Sequence, residues 1–98
     1  MFVHMVFFWL KDEYNEDQRA AFREGVESLL TCPSVHSGYV GTPASTDRPI
    51  IDTTYDLSLV VVLEDLPAHD QYQVDPIHLT FVENFKDYWE KVVIYDAD

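Results

Sequence analysis

Basic residues are scarce in this chain: 6 Lys and Arg stand against 18 Asp and Glu among 98 residues, a formal net charge of −12. A surface of that sign repels phosphate, so nucleic acid and anionic membranes are excluded as natural partners. The acidic side chains are spread along the sequence rather than gathered in a tail, and they read as a solubilising surface. Cysteine is nearly absent. The single Cys32 rules out an internal disulfide and any Cys-x-x-Cys zinc spacing, which makes a reducing, cytoplasmic setting the expectation. Also missing are a Gly-rich phosphate loop, a Ser nucleophile elbow and a His-Glu-x-x-His motif, which argues against phosphoryl transfer, α/β-hydrolase chemistry and zinc proteolysis. The apolar N-terminal run "MFVHMVFFWLK" is too short for a membrane helix, which needs about 20 residues. It also lacks the basic start and small-residue cleavage site of a secretory leader.

What remains is a chain of 47% hydrophobic and 14% aromatic residues, enough for one folded domain over residues 1–98. Phe2 to Leu10, interrupted only by His4, has the composition of a strand buried on both faces. "NEDQ" then sets Asn15 as an N-cap with Gln18 three residues on, the capping-box spacing. Phe22, Val26, Leu29 and Leu30 share one face of the helix that follows, until Cys32-Pro33 ends it. Residues 34–44 read as a weaker strand, at an edge or bulged, and 45–53 as a loop. "TYDLSLVVVLE" (54–64) reads as a third strand with Tyr55, Leu57, Leu59, Val61 and Leu63 on one face. Asp65 caps a short helix, and Asp75-Pro76 ends it and starts another. On that last helix His78, Val82, Phe85 and Trp89 form a predicted stripe, and residues 91–96 close the chain as a strand.

The order β-α-β-β-α-β predicts an α+β, ferredoxin-like protomer with a four-stranded antiparallel sheet and helices on one face. Its first and third strands would be central. Helices cover one face only, yet the first strand is apolar on both faces (Phe2, Val6, Phe8 and Leu10 against Val3, Met5, Phe7 and Trp9), and the third strand adds Val60 and Val62. A second copy, packed sheet against sheet about a two-fold axis, is the expected cover, giving a homodimeric α+β barrel.

The segments "HMVFFWLK", "YDLSLVVVLED", "YQVDPIHLTFVENF" and "WEKVVIYD" resemble, in this order and over almost the whole chain, the stress-responsive dimeric α+β barrel (Dabb) family. The resemblance implies a ferredoxin-like homodimer. It includes plant stress-induced members and a branch of polyketide cyclases that close a poly-β-keto thioester by intramolecular aldol condensation. Similarity to that branch falls on Tyr72 and His78 as catalytic residues, His4 as a pocket histidine of the first strand, and Trp89. The chain departs from it at Leu57 and Asp75, where the cyclase pattern has histidines.

An imidazole is a suitable general base for a proton between two carbonyls, and a phenol can orient the carbonyl or stabilise the enolate oxygen. His78 and Tyr72 fit those roles; the competing reading makes His78 a core residue with a satisfied hydrogen bond. His4 either joins them, if even-numbered residues of its strand face the helices, or lies in the dimer interface. The expected pocket walls are His4, Phe22, Val26, Leu57, Leu59, Val82, Phe85 and Trp89. His36 and His69 are read as surface residues. No cofactor is expected. No metal site is expected either, since Asp75 and His78 at i, i+3 is the nearest approach to a ligand spacing. Two functions from different classes follow: a Dabb module that binds a small apolar ligand between helices and sheet, or a cofactor-free cyclase or isomerase acting on a β-keto compound. A cofactor-less monooxygenase is a third reading, by fold analogy.

Overall fold

A computed structural model describes all of residues 1–98. The strand β1 (Phe2–Leu10) lies in the middle of one antiparallel sheet. It is paired on one side with β3 (Leu57–Leu63) and on the other with β4 (Trp89–Ala97). β2 (Val35–Gly41) completes the order β2-β3-β1-β4 as an edge strand, with a register shift between Val35 and Ser37. The expected α+β ferredoxin-like topology, with the two most apolar strands at the centre, is therefore what the chain adopts. No helix is long and apolar enough to cross a membrane.

Alternation along β1 and β3 decides which side each residue takes. Phe2, His4, Val6, Phe8 and Leu10 are buried under the helices, as are Leu57, Leu59, Val61 and Leu63. Their odd and even neighbours respectively, Val3, Met5, Phe7, Trp9, Ser58, Val60 and Val62, form the opposite face and are only half-buried. On that face Phe7 meets Tyr55 and Tyr95 edge-on, the Lys91 ammonium lies 4.4 Å from the Trp9 ring centroid, and the Trp9 indole donates to Thr54 Oγ1.

The helix α1 (Glu16–Ser28) begins with the capping box that its sequence spells: Asn15 Oδ1 accepts from the Gln18 N–H, and Gln18 Oε1 accepts from the Asn15 N–H. It ends in a 3₁₀ turn, Leu29–Thr31, before Pro33. α2 (Leu66–Val74) is capped by Asp65, whose carboxylate accepts from the Ala68 N–H. α3 (Pro76–Phe85) is capped by Asp75, which accepts from the Ile77 N–H, and proline stands at its first position, where its missing N–H costs little.

Three boundaries differ from expectation. Trp89 opens β4 rather than extending α3, and the stripe predicted from His78 to Trp89 stops at Phe85. Tyr88 causes the change: its ring stacks on Tyr14 and Phe22, and its carbonyl accepts from the Lys11 N–H, which draws the chain into the sheet. The buried residue of α3 is Phe81, which lies beside the predicted stripe, three residues after His78 and four before Phe85, but was not named in it. β2 and β3 are also shorter than the 34–44 and 54–64 predicted. Asp52 takes both the N–H and the hydroxyl of Thr54, and Asp56, whose own N–H donates to the Phe8 carbonyl, turns its carboxylate to the Leu10 N–H, so the paired ladder of β3 starts only at Leu57.

Candidate functional site

Tyr72 and His78 are six residues apart. In an unbroken helix that separation puts them about 9 Å apart along the axis and about 120° apart around it. The break at Asp75 changes this. Asp75 has extended backbone angles, φ −61° and ψ 138°, and is at once the C-cap of α2 and the N-cap of α3. Its N–H donates to the Tyr72 carbonyl while its own carbonyl accepts from the Leu79 N–H. The corner brings the Tyr72 and His78 rings to a 4.9 Å centroid separation, edge-on at an interplanar angle of 64°.

Both residues line a cavity of about 170 Å³ between the helices and the sheet. β1 contributes His4, Val6 and Phe8 to it; β3 gives Leu59, and β4 gives Trp89, Val92 and Ile94. The helices add Tyr72, Gln73, His78, Phe81 and Val82, with Leu29 from the 3₁₀ turn. The polar side-chain groups belong to His4, Tyr72, Gln73 and His78 and to the indole N–H of Trp89. The wall on the β4 side is the thinnest, because Val92 and Ile94 lie on the outer strand and are 37% and 50% exposed.

Burial sets the protonation of the pair. The His78 imidazole is pushed below its ordinary value by burial first and by the nearby His4 second, while Asp75 and the Gln73 backbone pull weakly the other way. Its Nδ1 is buried and has no hydrogen-bond partner. The Tyr72 phenol, 1% exposed, is pushed well above its ordinary value by burial, with Cys32 adding to the effect. Cys32 itself is raised to about 11 by burial and by Asp75, so its thiol is inert at neutral pH.

His4 faces the helices, as the even-residue alternative required. It is 3% exposed, its ring lies 5.7 Å from that of Tyr72, and its Nδ1 is 2.5 Å from Asp96 Oδ1 on the neighbouring strand. Of the other expected wall residues, Leu59, Val82 and Trp89 line the cavity, Trp89 from a strand rather than a helix. Phe22, Val26, Leu57 and Phe85 do not. Phe22 and Val26 are fully buried in solid core under α1. Leu57 lines a separate shallow groove with Leu10 and Arg19, and Phe85 packs over Phe22 and Gly25. The reading of His69 as a surface residue also needs correction. Its side chain is 15% exposed and its ring packs 4.8 Å from Phe2 and 5.1 Å from His4, because α2 lies across the start of β1. His36 is exposed on the edge strand, as expected.

Sequence reasoning missed Asp96, Gln73 and Phe81. Asp96 reaches His4 only through the β1–β4 register, which pairs those two positions directly. A spacing of 92 residues carries no signal for such a pair.

A family model described as the stress responsive A/B barrel domain, Dabb, matches residues 2–98. The chain belongs to the Dabb family. Olivetolic acid cyclase of Cannabis sativa is 24% identical to it over 94 residues, which cover 95% of this chain and 91% of the cyclase. Among solved structures, the hydroxynitrile lyase of Passiflora edulis aligns with a TM-score of 0.80 at 20% identity, covering 98% of this chain and 90% of the lyase. A dimeric ferredoxin-like protein of unknown function from Thermobifida fusca aligns at 0.79 and 18% identity, over 98% of this chain and 88% of that one. These structural likenesses establish the Dabb domain's fold.

Proposed function

We propose that this Dabb domain is a sheet-to-sheet homodimer whose cavity takes a small, largely apolar carbonyl compound and moves a proton on it, with His78 as general base and Tyr72 as the orienting acid. One observation carries the reading: the His78 imidazole and the buried Tyr72 phenol stand 4.9 Å apart in the wall of one cavity. Burial acts on both groups in the useful direction. It keeps His78 neutral and able to accept a proton, and it keeps Tyr72 protonated and able to donate a hydrogen bond. His78 accepts the proton from a carbon beside one or two carbonyls. The enolate oxygen that results takes the Tyr72 hydrogen bond, and the proton returns to carbon when the enolate collapses.

Size narrows the substrate. A dry apolar cavity of about 150 Å³ holds one benzene ring, so about 170 Å³ suits a single ring or a short branched chain. The apolar walls select for carbon skeleton over charge. Relatives named as a cyclase and as a hydroxynitrile lyase support an enzymatic role over simple ligand storage. The dimer is supported by the half-buried apolar face of Val3, Met5, Phe7, Trp9, Val60 and Val62, and by the related protein described as dimeric.

The test is hydrogen–deuterium exchange at the α-carbon of a small cyclic β-keto ester, followed by NMR. Wild-type protein accelerates the exchange, His78→Gln abolishes the acceleration, and Tyr72→Phe reduces it without weakening ligand binding. Binding without any acceleration in the wild type would leave a ligand-binding module and end the enzymatic reading.

A further inference from the structure

Outside the Tyr72–His78 pair, the most concentrated set of metal-ligating groups lies where α2 crosses the β1–β4 ladder. One nitrogen each from His4 and His69 and one carboxylate oxygen of Asp96 all fall within 4.8 Å of one another. The three residues come from β1, α2 and β4, elements that only the folded sheet brings together. We propose that His4, His69 and Asp96 form a site for a divalent transition-metal ion of the zinc class.

The donor set argues for that class. Two imidazoles and one carboxylate suit zinc, cobalt, nickel or ferrous iron, whereas magnesium and calcium prefer all-oxygen ligands. Three protein ligands also leave coordination positions open, as in zinc sites that hold an exchangeable water. Around a tetrahedral ion with bonds of about 2.1 Å, ligand atoms stand roughly 3.4 Å apart. To reach that spacing the His4–Asp96 pair, now 2.5 Å apart, has to open and His69 has to draw in, and Asp96 and His69 are the two more accessible members of the set.

The surroundings hold the ligands in suitable states. Asp70 Oδ1 lies 3.2 Å from His69 Nδ1, and a carboxylate that accepts from that N–H leaves Nε2 with its lone pair. This is the carboxylate–histidine arrangement that commonly supports metal-bound imidazoles. The Gln73 amide, 3.3 Å from His69 Nε2, is the group that must give way. On the other side, His4 Nδ1 and Asp96 Oδ1 already face each other across a hydrogen bond. An ion that takes both atoms displaces the proton between them, so binding releases that proton to solvent. His4 is shared with the wall of the Tyr72–His78 cavity, but the metal site stands on its own geometry and not on the proposed proton transfer.

The experiment uses untagged, chelator-stripped full-length protein titrated with Co2+ by absorption spectroscopy and with Zn2+ by calorimetry. One ion per chain is expected, with a visible Co2+ band indicating nitrogen-rich coordination, displacement by Zn2+, and no displacement by excess Mg2+. His69→Ala should weaken binding by about a hundredfold or more, and Asp70→Asn by about tenfold, the range for an outer partner of a ligating histidine. His36→Ala should leave binding unchanged. Binding that Mg2+ competes away would be acidic-surface attraction only. That result, undiminished binding in His69→Ala, or no binding at all would overturn the site. None of these results depends on turnover, so failure here is distinguishable from failure of the proposed reaction.

Discussion

The His4 imidazole and the Asp96 carboxylate meet across the β1–β4 ladder, 92 positions apart in sequence, with His4 Nδ1 2.5 Å from Asp96 Oδ1. An ionised carboxylate only accepts hydrogen bonds, so this contact fixes the proton of His4 on Nδ1 and leaves Nε2 as the free nitrogen of the neutral ring. Nitrogen-detected NMR of the His4 ring should show the Nδ1–H form in the wild type. It should be retained in Asp96→Asn, whose amide oxygen still accepts, and give way to a tautomer mixture in Asp96→Ala. An Nε2–H form in the wild type would contradict the arrangement.

His78 should cost the fold stability for the sake of its position. A buried polar atom without a partner carries a penalty of about 1–3 kcal/mol, and Nδ1 of His78 is such an atom. His78→Leu, which keeps the apolar contacts, is expected to match or exceed wild-type stability in urea unfolding at pH 7.5.

The pH dependence has a definite sign. His78 is lowered from the ordinary 6.5 in the folded protein. Below about 6.5 the unfolded chain therefore binds a proton that the folded chain still refuses, and stability falls as pH falls through that window. Above it the effect vanishes. His78→Leu should lose less stability than wild type between neutral pH and the lowered folded-state value; equal losses would show that His78 does not titrate differently in the two states.

Much of the fold was legible because its signals are local. The capping box of Asn15 and Gln18, the Asp65 cap and the Asp75-Pro76 break each act within three residues, and each appears as written. Alternation along β1 and β3 likewise separated the two faces of each strand. It left open which face of β1 the helices cover, and it put Tyr55 with Leu57, whereas Tyr55 lies against Phe7 and Trp9 on the open face. The site was legible in part, and for the same reason: Tyr72 and His78 sit on either side of a local break. Asp96 and His69 reach His4 through strand register and helix crossing, which no window of sequence contains. Trp89 shows the opposite error, since helical spacing continued on paper past the point where Tyr88 packing had turned the chain.

Gly38 marks a place where sequence gave no hint of tightness. A β-carbon there would lie 2.7 Å from the Val60 carbonyl oxygen and would collide with the Leu30 side chain. Backbone at a paired strand cannot step aside cheaply, so Gly38→Ala should destabilise by about 1–3 kcal/mol, the usual cost of overpacking. Denaturant midpoints at constant slope would measure it.

The proposed dimer makes its own demand on the open sheet face. Phe7, at the centre of that face, meets Tyr55 and Tyr95 within its own chain. Phe7→Asp places a charge there without touching the helix-side core. Sedimentation should show wild-type dimers at micromolar concentration and Phe7→Asp monomers. A monomeric wild type would remove the dimer from the proposal.

The Asp75 corner carries one more consequence, for evolution and for engineering. Because the spacing between phenol and imidazole is stored in seven consecutive residues, it travels as a cassette. Redrawing the far wall through Val92 or Ile94 changes the guest that fits while Tyr72 and His78 keep their alignment. Cavity size and ring alignment are thus separate dials on this domain, one set by the outer strand and the other by a single bend in the chain.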